Sequence, residues 1–242
     1  MELKEDIVDI IIPFFPSEQG QLNLEIFKQS LQTVDPGFPY RLIVAEGEKP
    51  AIQNMNEGLL KSNTRYFLKC DDDIIFIHPN WLKTAVEIIK KEPKCGAVGF
   101  RIEDINGKVI NAGRIIKETG DPKTPLISIN ILDIKNGSEF KREKRDHIAG
   151  CCMLVDRLVA GFFPEKLYPG KLNCDDVDYM MTINANGFMN YYLGDIPVIH
   201  NEKTKEEKTK LYNLTEKDEL NHEIFQNRWK LAAVNITMKR DD

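Results

Sequence analysis

The chain has 242 residues, with 33 basic against 38 acidic side chains and a net charge of −5. Hydrophobic residues make up 42% and charged residues 29%, which excludes collagen-like, low-complexity and mostly disordered chains. The acidic balance argues against coating DNA or RNA, which needs a basic face, yet leaves room for a phosphorylated ligand at a local site.

The predicted elements begin at Ile7–Ile12, a β-branched run stopped by Pro13-Phe14-Phe15-Pro16. Such a run, apolar on both faces, reads as a buried strand of a parallel sheet. Leu22, Leu24, Phe27 and Leu31 fall at helical spacing, and Pro36-Gly37 ends that stretch. Tyr40–Ala45 is a second strand, Ala51–Leu60 a helix, and Tyr66–Cys70 a third strand running into Asp71-Asp72-Asp73. Pro79 opens a helix carrying Trp81, Leu82, Ala85, Val86, Ile88 and Ile89, and Ala97–Ile102 is a fourth strand. This β-α-β-α-β-α-β order predicts an α/β fold with a mainly parallel central sheet and helices on both faces.

The alternation then fails. Asn106-Gly107 signals a hairpin between Ile102 and Val109. Leu126–Ile134 alternates like a strand, Glu139–Arg145 reads as a charged loop, and Ile148–Val155 is an apolar run containing Ala149 and Gly150. Val177–Ala185 is helical, Met189–Leu193 is a strand, and Pro197–His200 closes the core. Asn201–Glu219, charged and without an apolar period, reads as a mobile loop. His222, Phe225, Trp229 and Ala232 share one face of a last helix over Asn221–Ala233.

The five cysteines, Cys70, Cys95, Cys151, Cys152 and Cys174, are odd in number and lack C-x-x-C spacing. They read as free thiols in a reducing compartment, with no zinc cluster. The charged start, Met1–Asp6, lacks the parts of a signal peptide, and no apolar run reaches the roughly 20 residues that span a bilayer. The expectation is a cytoplasmic protein. The sequons at Asn136, Asn213 and Asn235 are then chance matches.

Three groups carry chemistry. Asp71-Asp72-Asp73 stands where an apolar strand ends, and ligand crevices of open α/β sheets lie at that end. Adjacent carboxylates repel without a cation, and Asp71 and Asp73 share a side of an extended chain. Either they hold a hard divalent cation or they form a polar turn capping the next helix. Cys174-Asp175-Asp176-Val177-Asp178 opens a helix, where acidic residues also suit the positive end of the dipole; its functional reading is a general base. His200 ends a strand and is either structural or a ligand for a metal such as Mn²⁺. Tyr168, Tyr179, Tyr191 and Tyr192 are either core aromatics or platforms for sugar rings.

Taken in order, these motifs resemble the inverting glycosyltransferases of family 2, with the GT-A fold, from about Ile7 to Trp229. Ile10-Ile11-Ile12-Pro13-Phe14 looks like the family's opening strand, whose end touches the nucleotide. Gln53-Asn54-Met55-Asn56-Glu57-Gly58 resembles its Asn-x-Gly helix, and Asp71-Asp72-Asp73 its Asp-x-Asp motif. Ile148-Ala149-Gly150-Cys151-Cys152-Met153-Leu154 resembles its Gly-x-x-Met strand, and Asp175-Asp176-Val177-Asp178 its Glu-Asp-x-Asp. Ile199-His200 matches its closing His, and Phe225-Gln226-Asn227-Arg228-Trp229 its Phe-x-x-x-Trp. Glu46 stands where the family usually has the Asp that holds the base. Phe163-Pro164-Glu165 departs from its Gly-Phe-Asp-Glu, and Met181-Thr182-Ile183 lacks its Arg.

The resemblance implies one GT-A domain over residues 1–242: a nucleotide-binding half (1–103), an acceptor-side half (104–200), and a mobile loop with a final helix (201–242). It implies Mn²⁺ or Mg²⁺ on Asp73, Asp71 and His200, with Asp176 as general base and Asp175 orienting base or acceptor. Pro13, Phe14, Glu46, Asn54, Asp71, Asp72 and Gly150 would line the donor site, Gly150 because it lets the chain pass close to the sugar. The partners would be a nucleoside-diphosphate sugar and a glycan or lipid-linked glycan acceptor, for a hexosyl or deoxyhexosyl transfer, with no nucleic acid. The competing readings are a catalytically inactive nucleotide- or carbohydrate-binding protein and an aspartyl phosphatase using Asp71-x-Asp73. A pyrophosphorylase is disfavoured, because Pro13-Phe14-Phe15-Pro16 occupies the place of its glycine-rich phosphate loop.

Overall fold

The computed structural model describes residues 3–120, 126–134, 137–168, 175–201, 220–221, 223–225 and 227–229. In chain order the first half runs β1 (Val8–Phe14), α1 (Glu18–Thr33), β2 (Tyr40–Glu46), α2 (Ala51–Lys61), β3 (Tyr66–Cys70), β4 (Ile74–Phe76), α3 (Trp81–Lys91) and β5 (Cys95–Glu103). The second half adds β6 (Val109–Asn111), β7 (Arg114–Glu118), β8 (Leu126–Asn130), β9 (Arg142–Arg145), β10 (Cys152–Asp156), α4 (Arg157–Ala160), α5 (Asp175–Ala185) and β11 (Met189–His200). The main sheet is ordered β2-β1-β3-β10-β5-β11-β4, with β6 on β5 and β9 on β11. β1 is parallel to β2 and β3, and β11 to β5, while β10 runs antiparallel to both β3 and β5. Strands β2, β1, β3, β5 and β11 therefore share one direction, as an α/β fold of the GT-A type requires.

Strand alternation builds two layers. Ile10, Ile12 and Phe14 join Leu24, Phe27 and Leu31 of α1 and Trp81 and Leu82 of α3 in one core. Ile11, between them in sequence, faces the other way, into Ile52, Met55 and Leu59 of α2 and Tyr179, Met180 and Ile183 of α5. That is why the opening strand reads as a continuous apolar run. Trp81 is fully buried, stacked on Phe76 at 3.8 Å between ring centroids and edge-on to Phe100 at 5.8 Å. Ser17 caps α1 by accepting the Gly20 N–H at 3.0 Å. Leu22 departs from the predicted face and is 56% exposed, because two residues turn a helix by about 200° away from Leu24.

α2 lies directly on β1. A Cβ at Gly58 would stand 2.3 Å from Ile11 Cγ2, so glycine there is a packing requirement. Gly58→Ala is expected to lower unfolding stability by about 1–3 kcal/mol in a denaturant titration, because overpacking outweighs the gain in helix propensity.

Several boundaries differ from the sequence reading. Glu139–Arg145 is not all loop: residues Arg142–Arg145 form β9, an antiparallel edge strand on β11. Backbone pairing needs no apolar side chain, and charge on an edge strand discourages further pairing. Met189–Leu193 and Pro197–His200 are parts of one strand, β11, with a register shift between Leu193 and Pro197. Leu126–Ile134 is a strand only to Asn130 and then a 3-10 turn. The β5–β6 hairpin forms as predicted, with Gly107 at φ +77°. Tyr168, Tyr179 and Tyr192 are core residues. Residues 220–221, 223–225 and 227–229 are helical, and Phe225 and Trp229 bury against Tyr168 and Met181. Residues 202–219, His222 and Ala232 lie outside the described residues, as do Cys174 and the three sequon asparagines. Cys70, Cys95, Cys151 and Cys152 are free thiols. Among the described residues no helix is long and apolar enough to cross a membrane.

Candidate active site

The sheet brings four distant segments to one place. β3 ends at Cys70, and Asp71–Asp73 turn the chain into β4. β10 pairs with β3 so that Cys152 faces Cys70, which lays residues 150–151 beside the turn; the Asp71 N–H donates to Cys151 O at 2.9 Å. β11 pairs with β4 so that His200 faces Ile74, and the Asn201 N–H donates to Asp73 O at 2.9 Å. The fourth segment is the first turn of α5, whose Asp176 side chain lies against Gly150.

Asp71, Asp73 and His200 each present a ligand atom, and these atoms lie within 4.8 Å of one another. His200 Nε2 stands 3.1 Å from Asp73 Oδ1. The side chains of Asp73 and His200 are only 8% and 11% exposed, whereas that of Asp71 is 36% exposed. Burial works against a charged His200, but Cys151 and Asp73 beside it outweigh that and raise its pKa. Burial pushes the Cys151 thiol up. Two carboxylates and an imidazole in reach of one point are a fitting donor set for Mn²⁺ or Mg²⁺. Asp72 is half-buried and is not part of that group.

Two further side chains reach the site that the sequence reading missed. Lys69, buried in the otherwise apolar β3, donates from Nζ to Gly150 O at 2.5 Å and to Asp71 Oδ1 at 3.1 Å. It thereby ties the acidic turn to the β10 side. A lone cation inside a buried strand was the available signal, since a buried charge needs a partner. His147, just before the apolar run at Ile148, places Nε2 3.8 Å from Asp176 Oδ2.

Asp176 Oδ1 accepts the N–H of Val177 at 2.8 Å. Burial raises the pKa of this carboxyl, but His147, Lys69 and the Val177 N–H together bring it below the usual carboxylate range. A Cβ at Gly150 would lie 2.4 Å from Asp176 Cβ and Oδ2. The space belongs to the Asp176 side chain. Asp175 begins α5, and its side chain is outside the described residues. Cys70 is fully buried with its thiol pushed up by burial, the state of a structural cysteine.

The expected nucleotide contacts divide. Pro13 is half-buried at the end of β1, and Glu46 is exposed at the end of β2. Phe14 is fully buried, and its carbonyl accepts from Gly47 N–H at 3.1 Å and from Asn54 Nδ2 at 3.2 Å. Asn54 also donates to Gly47 O at 2.8 Å, so its amide staples β1 to the loop before α2. Asn56 likewise ties α2 to Phe163 and Glu165, with Nδ2 contacts of 2.9 and 2.8 Å. The side chains of Phe14 and Asn54 are buried.

The sequence matches no protein-family model and no curated protein. Solved structures share the fold. GalNAc-T7, crystallised with UDP, GalNAc and Mn²⁺, superposes with a TM-score of 0.61 at 13% identity, over 82% of this chain and 44% of that chain. TarS from S. aureus, a 1–349 form in complex with UDP-GlcNAc, superposes at 0.52 and 14% identity, over 82% of this chain and 59% of that one. The same form without that ligand gives 0.51 at 14% identity, over 81% and 60%. The chain spans about half the length of these structures.

Proposed function

We propose that the chain is a metal-dependent, inverting glycosyltransferase that moves a sugar from a nucleoside-diphosphate sugar to an acceptor hydroxyl. The observation that carries this reading is the placement of Asp71, Asp73 and His200 at the strand ends of the main sheet, with Asp176 beside Gly150 next to them. The GT-A-like fold, shared with proteins crystallised with UDP or UDP-GlcNAc, supports it.

Asp73, His200 and Asp71 would hold Mn²⁺ or Mg²⁺, whose positive charge stabilises the diphosphate as it leaves. Lys69 fixes the carboxylate of Asp71 against the Gly150 carbonyl. Asp176 takes the proton of the acceptor hydroxyl as its oxygen bonds to the anomeric carbon. The bond to the diphosphate oxygen breaks, and its electron pair leaves with the nucleotide. One such displacement inverts the anomeric centre. Residues 1–103 form the nucleotide side, with Pro13 and Glu46 at its strand ends, and residues 104–200 form the acceptor side. Trp229 docks against Tyr168 and Met181 beside the acceptor side. A glycan or lipid-linked glycan is the acceptor class, and hexosyl or deoxyhexosyl the transferred group.

The test is thermal stability against UDP, GDP, dTDP and CDP, each with and without Mn²⁺, since a ligand that binds only the native state raises the midpoint. One nucleotide should stabilise the chain only when metal is present. No shift with any nucleotide at millimolar concentration would overturn the reading. Once a donor is known, product anomers resolved by NMR test inversion. Gly150→Ala should then lower transfer by about 100-fold through displacement of Asp176, while the metal-dependent thermal shift persists.

A further inference from the structure

His147 is a buried imidazole that the proposed chemistry leaves unused. It lies between β9 and β10 and is fixed by a two-way bridge to β7: Arg114 N–H donates to His147 O at 2.7 Å, and His147 N–H to Arg114 O at 3.2 Å. Its side chain is 8% exposed, and neither ring nitrogen has a hydrogen-bond partner among the described residues. Burying an imidazole in that state is costly, and the ring still places Nε2 3.8 Å from Asp176 Oδ2. The other oxygen of Asp176 is taken by the Val177 N–H, and Gly150 leaves room for Oδ2.

We propose that His147 is the positioning residue of Asp176: its Nε2–H closes on Oδ2, fixing the carboxylate and keeping it ionised for the acceptor hydroxyl. The inference rests on Asp176 being the base. The acceptor proton goes to Asp176. The gap of 3.8 Å is longer than a hydrogen bond, so this role requires the contact to shorten once ligands are bound. His147 and Lys69 both lower the pKa of Asp176 against the effect of burial. Next to His147 in the chain, Asp146 accepts the Ile116 N–H through Oδ2 at 3.1 Å, and the backbone of His147 is bridged to Arg114 of β7.

The experiment is a ¹³C NMR titration of the Asp side-chain carboxyls in the full chain, with Asp176→Asn assigning the signal. In the wild type Asp176 should titrate below the other aspartates. In His147→Phe its midpoint should rise by about one pH unit or more, and in His147→Gln, which still offers an N–H, it should return most of the way. Thermal midpoints with Mn²⁺ and the stabilising nucleoside diphosphate check that each variant keeps its fold and donor site. If His147→Phe does not fold, His147→Gln against the wild type decides, with a smaller rise expected. An Asp176 midpoint unmoved in a folded variant overturns the inference. Turnover of the matching nucleotide sugar separates the two failures. Full turnover in Asp176→Asn overturns the base assignment itself, whereas an inactive Asp176→Asn with an unmoved titration overturns only the role of His147. If both hold, His147→Phe lowers kcat and moves the acidic limb of the rate profile to higher pH, leaving donor affinity unchanged.

Discussion

Asp73→Ala should weaken Mn²⁺ binding by more than about 100-fold and abolish the metal-dependent thermal shift with nucleotide. Loss of an outer-sphere partner alone typically costs 10–100-fold, and Asp73 is an inner ligand of the proposed site. The substitution also removes the Asp73 partner of His200. In the metal-free chain Asp73 Oδ1 stands 3.1 Å from its Nε2, so removal of the carboxylate leaves a buried imidazole without its anionic neighbour. The metal-free midpoint should therefore fall too. Asp73→Asn separates the effects, because the amide keeps the volume and a hydrogen-bond acceptor but loses the charge. Calorimetric titration with Mn²⁺ reads the first effect, and thermal unfolding in chelator reads the second. Unchanged Mn²⁺ affinity in both variants would remove Asp73 from the metal site.

Asp176→Asn should lower transfer by about 10²–10⁴-fold, the range expected for loss of a general base. Binding of metal and nucleotide should not change, because Asp176 is not among the grouped ligand atoms. Steady-state rates beside the metal-dependent thermal shift decide this. Asp176 also carries a pH signature. Its carboxyl sits below the usual range in the fold, after burial is offset by His147 and Lys69. A depressed carboxyl contributes stability above its unfolded pKa, near 3.9 for Asp, and that contribution is lost as pH falls below it. Acid unfolding of Asp176→Asn should therefore be less steep below about pH 4 than that of the wild type.

How much of this was legible follows from how far each signal reaches along the chain. Tyr66–Cys70 is a strand with the predicted bounds, because five buried residues ending at three carboxylates leave little choice. Asp71, Asp73 and His200 were named together through a family likeness, and the fold places their ligand atoms within 4.8 Å. β9 was missed because an edge strand pairs through its backbone, and its Arg142, Glu143, Lys144 and Arg145 carry no apolar period. Lys69 was passed over inside its apolar strand, and His147 has no local pattern to mark it. Asn54 was matched to a motif by spacing, and spacing says nothing about which way an amide points. Here it points to Phe14 O and Gly47 O.

The sequence by itself determined the kind of each long element and the two-layer core. Ile10 and Ile12 must face opposite to Ile11 in any strand, and Leu24, Phe27 and Leu31 must share a face in any helix. These are consequences of periods of two and 3.6 residues, which act between neighbours. Only the tertiary structure decided that β10 enters antiparallel between β3 and β5, that Cys152 faces Cys70, and that His200 faces Ile74. It alone set the Asp176 side chain where a Gly150 Cβ would be, with Lys69 and His147 against the same site. Those contacts join segments far apart in the chain. They are selected by the packing of the whole sheet, and no local period encodes which distant strand becomes a neighbour.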